Sequence, residues 1–143
     1  MIYNDRKSSS VEKKAQKSVG KAYLPKDIDN SILETLVYEY PKRKISVELT
    51  SDEFTCVCPY SGLPDFADLT IRYTPRNRLI ELKSLKYYLY AFRNVKIYNE
   101  HAVNKILEDL KKVLKPHEIT VIGEFTSRGG IENKVIAHDK TSK

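Results

Sequence analysis

KISVELTSDEFTCVCPYSGLPDFADLTIRYT, residues 44–74, is the stretch on which the fold turns. From Lys44 to Thr50, Ile45, Val47 and Leu49 alternate with Ser46, Glu48 and Thr50, the period of two that lays one face of a strand on a core. Leu69, Ile71 and Tyr73 alternate in the same way with Thr70, Arg72 and Thr74, which makes a second strand. Between them, from Asp52 to Phe66, TCVCPYSGLPD crowds Pro59, Gly62 and Pro64 together and predicts a loop. Working outward, Pro75 to Asn77 supply a turn before the short apolar stretch Leu79 to Leu82. Ser84 can then cap a helix in which Leu85, Tyr88, Leu89 and Phe92 share one face. A second helix, from Glu100 to Leu114, carries Val103, Ile106, Leu107 and Leu110 at the same spacing and stops before Pro116. Ile119 to Phe125 and Ile131 to His138 read as two more strands, joined by SRGG, whose glycines can adopt positive φ. The order is ββααββ and the class α+β, a four-stranded antiparallel sheet with two helices on one face. Such a sheet leaves one face and both edges needing cover, which predicts subunits joined edge to edge in a ring.

The chain of 143 residues is the size of one domain. With 41% hydrophobic and 31% charged residues it is too apolar for a disordered chain and too polar for a membrane span. No run approaches the apolar length of a bilayer helix, and MIYNDRKSSS lacks the apolar core of a signal peptide, so a cytoplasmic protein is expected. Residues 1–21 are polar, rich in Ser and Lys, and read as a mobile basic segment ahead of a single domain over 22–143. That segment holds six basic against two acidic side chains, +4 of the net +6, which leaves little positive charge for the domain. The case for a nucleic-acid module on charge alone is therefore weak. Cys56 and Cys58 are too close in sequence for a disulfide framework and read as reduced thiols.

Cys58 lies where a strand gives way to the loop, with Asp65 seven positions later. An inert packed thiol is the commoner role for a cysteine. A nucleophilic one, starting from a pKa of about 8.5, needs a field that favours thiolate and an acid across the bond being made, which Asp65 could provide. Cys56 reads as packing. In ELKSLKYY, residues 81–88, Glu81, Lys83 and Ser84 stand at a strand end and helix start, where free amides together with Lys83 and Lys86 suit an anion. An ordinary amphipathic helix with solvated lysines explains the same residues. Glu100 opens the second helix, where it either complements the macrodipole or accepts two parallel hydrogen bonds from an amidine-like edge. Arg128 stands beside two glycines, either as a hairpin surface charge or as a phosphate contact. The three histidines are scattered and CxC is not a usual zinc pair, so no metal is assigned. Neither GxGxxG nor GxxxxGK[ST] is present, so any nucleotide binds by another route.

FTCVCPYSGLPDF, ELKSLKYYLYAFRN, NEH and EFTSRGGI, taken together over Lys44 to Ala137, resemble the 7-cyano-7-deazaguanine reductases, the NADPH-dependent nitrile reductases of queuosine biosynthesis with the tunnelling fold. The resemblance implies that Cys58 attacks the nitrile carbon to give a covalent thioimide and that Asp65 protonates the nitrogen. Two hydrides from two NADPH would carry the adduct to 7-aminomethyl-7-deazaguanine. It also implies that Glu81, Leu82 and Lys83 line the substrate pocket with Glu100 and His101, Glu100 holding the pyrimidine edge, and that Lys83, Ser84, Arg128 and Gly129 meet NADPH. Members of the family assemble as stacked rings, usually decamers in the short form, with sites between subunits and no direct nucleic acid or membrane partner. One departure is Asn99, where many members have His: an amide keeps hydrogen bonds but cannot change charge near neutral pH. Two alternatives stand beside this reading. A tRNA-acting amidine former of the same fold would use Cys58 and Asp65 without the cofactor segment ELKSLKYY, and a nucleic-acid module would depend on the basic amino-terminal segment.

Overall fold

The structure, a computed structural model, describes residues 9–141. Strands β2 (Val47–Val57) and β3 (Pro64–Thr74) run antiparallel, Val47 against Tyr73 at one end and Val57 against Pro64 at the other. They are longer than the alternation predicts: residues 52–57 and 64–66, expected in a loop, are strand, and only residues 58–63 turn. The reason is a register slip between Ser51 and Phe54. It resets the phase, so that Val47 and Leu49 face the core before it, and Phe54 and Cys56 after it. Strand β5 (Glu118–Arg128) pairs with β3 on its other side, and β6 (Ile131–Lys140) pairs with β5. The sheet order β2-β3-β5-β6 is antiparallel throughout, as expected from ββααββ. Gly129 and Gly130 close the last hairpin at φ 57° and 75°, the positive values that a tight two-residue turn between twisted strands requires.

The long connection from β3 to β5 carries β4 (Arg78–Ile80), α2 (Leu82–Tyr90), a 3₁₀ turn (Ala91–Asn94) and α3 (Asn99–Leu114). β4 does not extend the main sheet but pairs with β1 (Thr35–Val37) in a separate ribbon. Leu82, read as the end of an apolar strand, is already helical. Glu81 rather than Ser84 caps α2, its carboxylate accepting from the amides of Lys83 at 2.8 Å and Ser84 at 2.7 Å. Ser84 instead lies inside the helix, fully buried, its hydroxyl donating to the Glu81 carbonyl at 2.7 Å and accepting from the Glu34 amide at 2.9 Å.

Both helices cover one face of the sheet. Leu69, Ile71 and Tyr73 of β3 and Ile119, Val121 and Phe125 of β5 belong to one core with Leu85, Tyr88 and Phe92 and with Val103, Ile106 and Leu110. Each such side chain contributes roughly 1.5–3 kcal/mol of transfer free energy, the main term holding the layers together. Helix α3 comes closest at Gly123, where an added Cβ would stand 2.8 Å from both Val103 and Phe125. On the opposite face charged pairs recur, Arg72 with Glu48 at 2.7 Å and Lys134 with Glu124 at 3.4 Å. Asp109, the buried acid of α3, accepts from Tyr88 at 2.6 Å, Lys105 at 3.0 Å and Asn30 at 3.2 Å, which ties both helices to the segment before β1.

Within the basic amino-terminal segment Ser10–Ser18 forms a helix, α1; residues 1–8 of that segment lie outside the described residues. Among the described side chains of α1 only Val11 and Ala15 are buried, a single apolar pair too brief to register as periodicity. Ser9 and Glu12 form a capping box, and Glu12 also meets Lys83 of α2 at 2.6 Å.

Candidate active site

Strand β2 ends where the turn after α2 clamps it. Val57 donates to the Val95 carbonyl at 2.9 Å and accepts from the Ile97 amide at 3.0 Å. Beyond that clamp the chain reverses tightly: the Cys58 amide donates to the Leu63 carbonyl and the Gly62 amide to the Cys58 carbonyl, both at 2.9 Å. Gly62 takes φ 71°, a value that side-chain-bearing residues adopt at a cost. The reversal folds donors around sulfur. The Ser61 hydroxyl, then the backbone amides of Ser61 and Tyr60, hold the Cys58 thiol below its ordinary range, against the opposing pull of burial and of Asp65. Cys56, two residues earlier and fully buried, is the opposite case: burial first, then the nearby Asp65 charge, pushes its thiol up to about 12. One thiol is poised to ionise and the other to stay neutral, which fits the reading of Cys56 as packing.

Removing the Ser61 hydroxyl should therefore raise the pH at which Cys58 becomes reactive. In Ser61→Ala the midpoint of the alkylation rate against pH is expected to move toward that of a free thiol, about 8.5, while the native midpoint lies lower. Cys56 should stay unmodified in both.

Asp65 lies on β3 directly across from Cys56. Its carboxylate meets Arg128 Nε at 3.0 Å, and a second guanidinium nitrogen of Arg128 donates to the Pro64 carbonyl. A register slip between Phe125 and Arg128 brings the end of β5 to this position. Glu100 and His101 open α3, both exposed. Asn133 of β6 donates to Glu100 Oε1 at 3.2 Å, leaving the other carboxylate oxygen without a protein donor among the hydrogen bonds of the described residues. His101 stacks edge-on against Tyr98 at 6.0 Å, and with Pro59 and Lys96 both line a cavity of about 490 Å³ beside the Cys58 loop. Asn99 Oδ1 is buried with no hydrogen-bond partner.

Cys58, Asp65, Glu100, His101, Arg128 and Gly129 thus gather where β2 ends, β3 begins, β5 turns into β6 and α3 starts. Glu81, Leu82, Lys83 and Ser84 do not join them within one chain. Glu81 follows Ile80, whose amide donates to the Tyr73 hydroxyl at 3.0 Å. Tyr73 lies eight residues along β3 from Asp65, about 26 Å of strand. Of these four, Ser84 has its hydroxyl committed inside the protein and Lys83 is paired with Glu12. Sequence reasoning passed over Ser61 and Asn133. The Ser-Gly pair marks a turn but gives no sign that its hydroxyl faces a thiol, and Asn133 has no motif of its own. Among the described residues no three His, Cys, Asp or Glu side chains gather as a metal site, and no helix is long and apolar enough to cross a membrane.

An antiparallel sheet covered on one face by two helices, with Cys58 and the carboxylates of Asp65 and Glu100 toward one end, has the α+β architecture of the tunnelling fold. A family model described as QueF-like protein matches residues 64–143, and the chain belongs to that family. It is 58% identical to the NADPH-dependent 7-cyano-7-deazaguanine reductase of Caldicellulosiruptor bescii, over 77% of this chain and 84% of that protein. To the protein of the same name from Caldanaerobacter subterraneus subsp. tengcongensis it is 56% identical, over 77% of this chain and 82% of the relative. The crystal structure of the archaeosine synthase QueF-Like in the apo form superposes with a TM-score of 0.63 over 68% of this chain and 96% of that one, at 23% identity, a likeness of fold.

Proposed function

We propose that this chain reduces the nitrile of 7-cyano-7-deazaguanine to 7-aminomethyl-7-deazaguanine with NADPH, a step in queuosine biosynthesis. The observation that carries the reading is the Cys58 thiol, held toward ionisation by Ser61 and Tyr60 within reach of the Asp65 charge, in a chain so similar to proteins named for this reaction. A nitrile is a poor hydride acceptor, and thiolate addition converts it into a polarised C=N. Cys58 Sγ forms the bond to carbon while a π pair moves to nitrogen, and Asp65 delivers the proton that nitrogen needs. Glu100, fixed on one oxygen by Asn133, presents a carboxylate edge suited to the paired N–H groups of a guanine-like pyrimidine. NADPH, when bound, supplies the hydrides. The donor set fits its phosphates: Lys83 at a helix start, and Arg128 beside two glycines at positive φ.

Because Glu81 to Lys83 lie a strand length from Cys58, we assign them to the site of a neighbouring copy, in a ring with sites between subunits. Strands β2 and β6 each have one neighbour in the sheet and leave an edge for such a copy. A cytoplasmic location fits the two free cysteines. The test is purified protein with NADPH and 7-cyano-7-deazaguanine: cofactor consumption with formation of the amine is expected, and the absence of both rejects the proposal. Glu100→Gln should raise KM for the nitrile roughly 10–100-fold, the loss of one hydrogen bond to a charged group, with a smaller effect on kcat.

A further inference from the structure

Helix α1 lies ahead of residues 64–143, the part of the chain that the family model matches, and it packs against α2. Its anchorage is spread along its length. Val11 and Ala15 are buried, the Ser10 hydroxyl donates to Glu34 Oε1 at 3.1 Å, and Lys14 donates to the Ser31 carbonyl at 2.9 Å. Held in this way, α1 sets Glu12 against Lys83, Nζ to Oε1 at 2.6 Å, with the lysine side chain 43% and the glutamate 32% exposed. The other carboxylate oxygen, Oε2, accepts from the Ser9 amide at 2.7 Å, so Glu12 is tied to its own helix as well as to the lysine. Lys83, and after it the Ser9 amide, hold the Glu12 carboxyl below its ordinary range. The amides at the start of α2 are taken by Glu81, which accepts from those of Lys83 and Ser84. The ammonium of Lys83 is therefore what this helix start offers to an outside anion, and a carboxylate of the same chain already occupies it.

We propose that Glu12 is a stand-in for a phosphate of the dinucleotide cofactor: it fills Lys83 until the cofactor displaces it, and so decides which anions gain the lysine. This rests on the reductase reading, in which Lys83 meets NADPH, and deepens it. An ammonium has three N–H donors, yet a phosphate brought beside it lies next to the Glu12 charge unless that carboxylate gives way. A small anion such as inorganic phosphate would exchange one exposed ion pair for another, and exposed pairs differ little in worth. It gains almost nothing by the exchange. A dinucleotide brings further phosphates, which Arg128 and the Gly129–Gly130 turn can meet across the subunit junction, and those contacts offset the loss of the Glu12 pair. The anchored helix thus lowers the affinity for every anion by the same modest amount, and only a ligand with a second foothold overcomes it.

The experiment measures the dissociation constant of NADP⁺ by calorimetry, and the KM for NADPH, in the full-length native chain, Glu12→Gln, Lys83→Gln and the double variant. Glutamine at this position keeps the capping box with Ser9 and removes only the charge. Glu12→Gln should bind NADP⁺ about two- to fivefold more tightly, the range of an exposed ion pair, with the KM for NADPH falling in step. Inorganic phosphate should compete with NADPH in Glu12→Gln at concentrations that leave native protein unaffected. The gain should fade in about 1 M salt, where charges are screened within about 3 Å. In the Lys83→Gln background the same substitution should change nothing. A carboxylate that merely orients the lysine for the cofactor would give the opposite sign, weaker binding in Glu12→Gln. That result, an unchanged affinity, or an equal gain with and without Lys83 overturns the inference while the reductase reading stands. Native protein that neither binds NADP⁺ nor consumes NADPH with 7-cyano-7-deazaguanine overturns both.

Discussion

Replacing Cys58 with alanine should reduce turnover to background and erase covalent capture. Native protein mixed with 7-cyano-7-deazaguanine alone is expected to gain the mass of one substrate per site and to change its absorbance; Cys58→Ala should do neither. Cys58→Ser should fail almost as completely, because the same Ser61 and Tyr60 donors that favour a thiolate leave a hydroxyl un-ionised near neutral pH. Cys56→Ala is the control. That thiol is sealed in the core and held neutral, its Sγ 4.0 Å from the Ile97 carbonyl, so its loss should weaken packing and leave capture in place. Capture that persisted in Cys58→Ala, or disappeared in a folded Cys56→Ala, would move the nucleophile and refute the assignment.

The second large effect is on stability and reaches the site indirectly. Phe92 is fully buried, its ring 5.4 Å from that of Phe54 and 5.5 Å from that of Tyr88, so it joins β2 to α2. Phe92→Ala should cost about 3–5 kcal/mol, the range for emptying an aromatic site in a core, seen as a lower urea midpoint at unchanged slope. The same residue accepts the Val95 amide at 2.9 Å, and Val95 clamps Val57 next to the thiol. Under conditions where the variant is still folded, Cys58 should alkylate with a pH midpoint closer to that of a free thiol. A loss under about 1 kcal/mol would mean that neighbouring side chains collapse into the space.

Much of this arrangement was legible in the chain because it repeats. Period-two runs in residues 44–50 and 69–74, helical spacing from Leu85 to Phe92 and from Val103 to Leu114, and the paired glycines after Arg128 each follow from local geometry and match the elements found. Features set by a single residue were not legible. The slip between Ser51 and Phe54 shifts the phase by one position, so Phe54 and Cys56 looked like part of a loop when they are core strand. A serine and a glutamate three residues apart can both cap a helix. Which one does so depends on the Glu34 amide approaching Ser84 from a distant part of the chain. Helix α1 and strand β1 have too few apolar positions to announce themselves. At the site, Cys58, Asp65, Glu100 and Arg128 were each visible as chemistry in a motif. That Arg128 lies against Asp65, and that Glu81 to Ser84 sit a strand length away, are facts of three dimensions that no spacing encodes.

Gly123 links the core to the Glu100–Asn133 contact in a way its chemistry would not suggest. A single methyl there would act as a wedge under α3, meeting Val103 and Phe125 at the same time. The helix it would lift carries Glu100 on its first turn, while Asn133, which steadies that carboxylate, stays behind on β6. An uncharged substitution remote from Glu100 would then loosen its contact with Asn133, and on the function proposed above the effect would surface as poorer discrimination among purine-like rings.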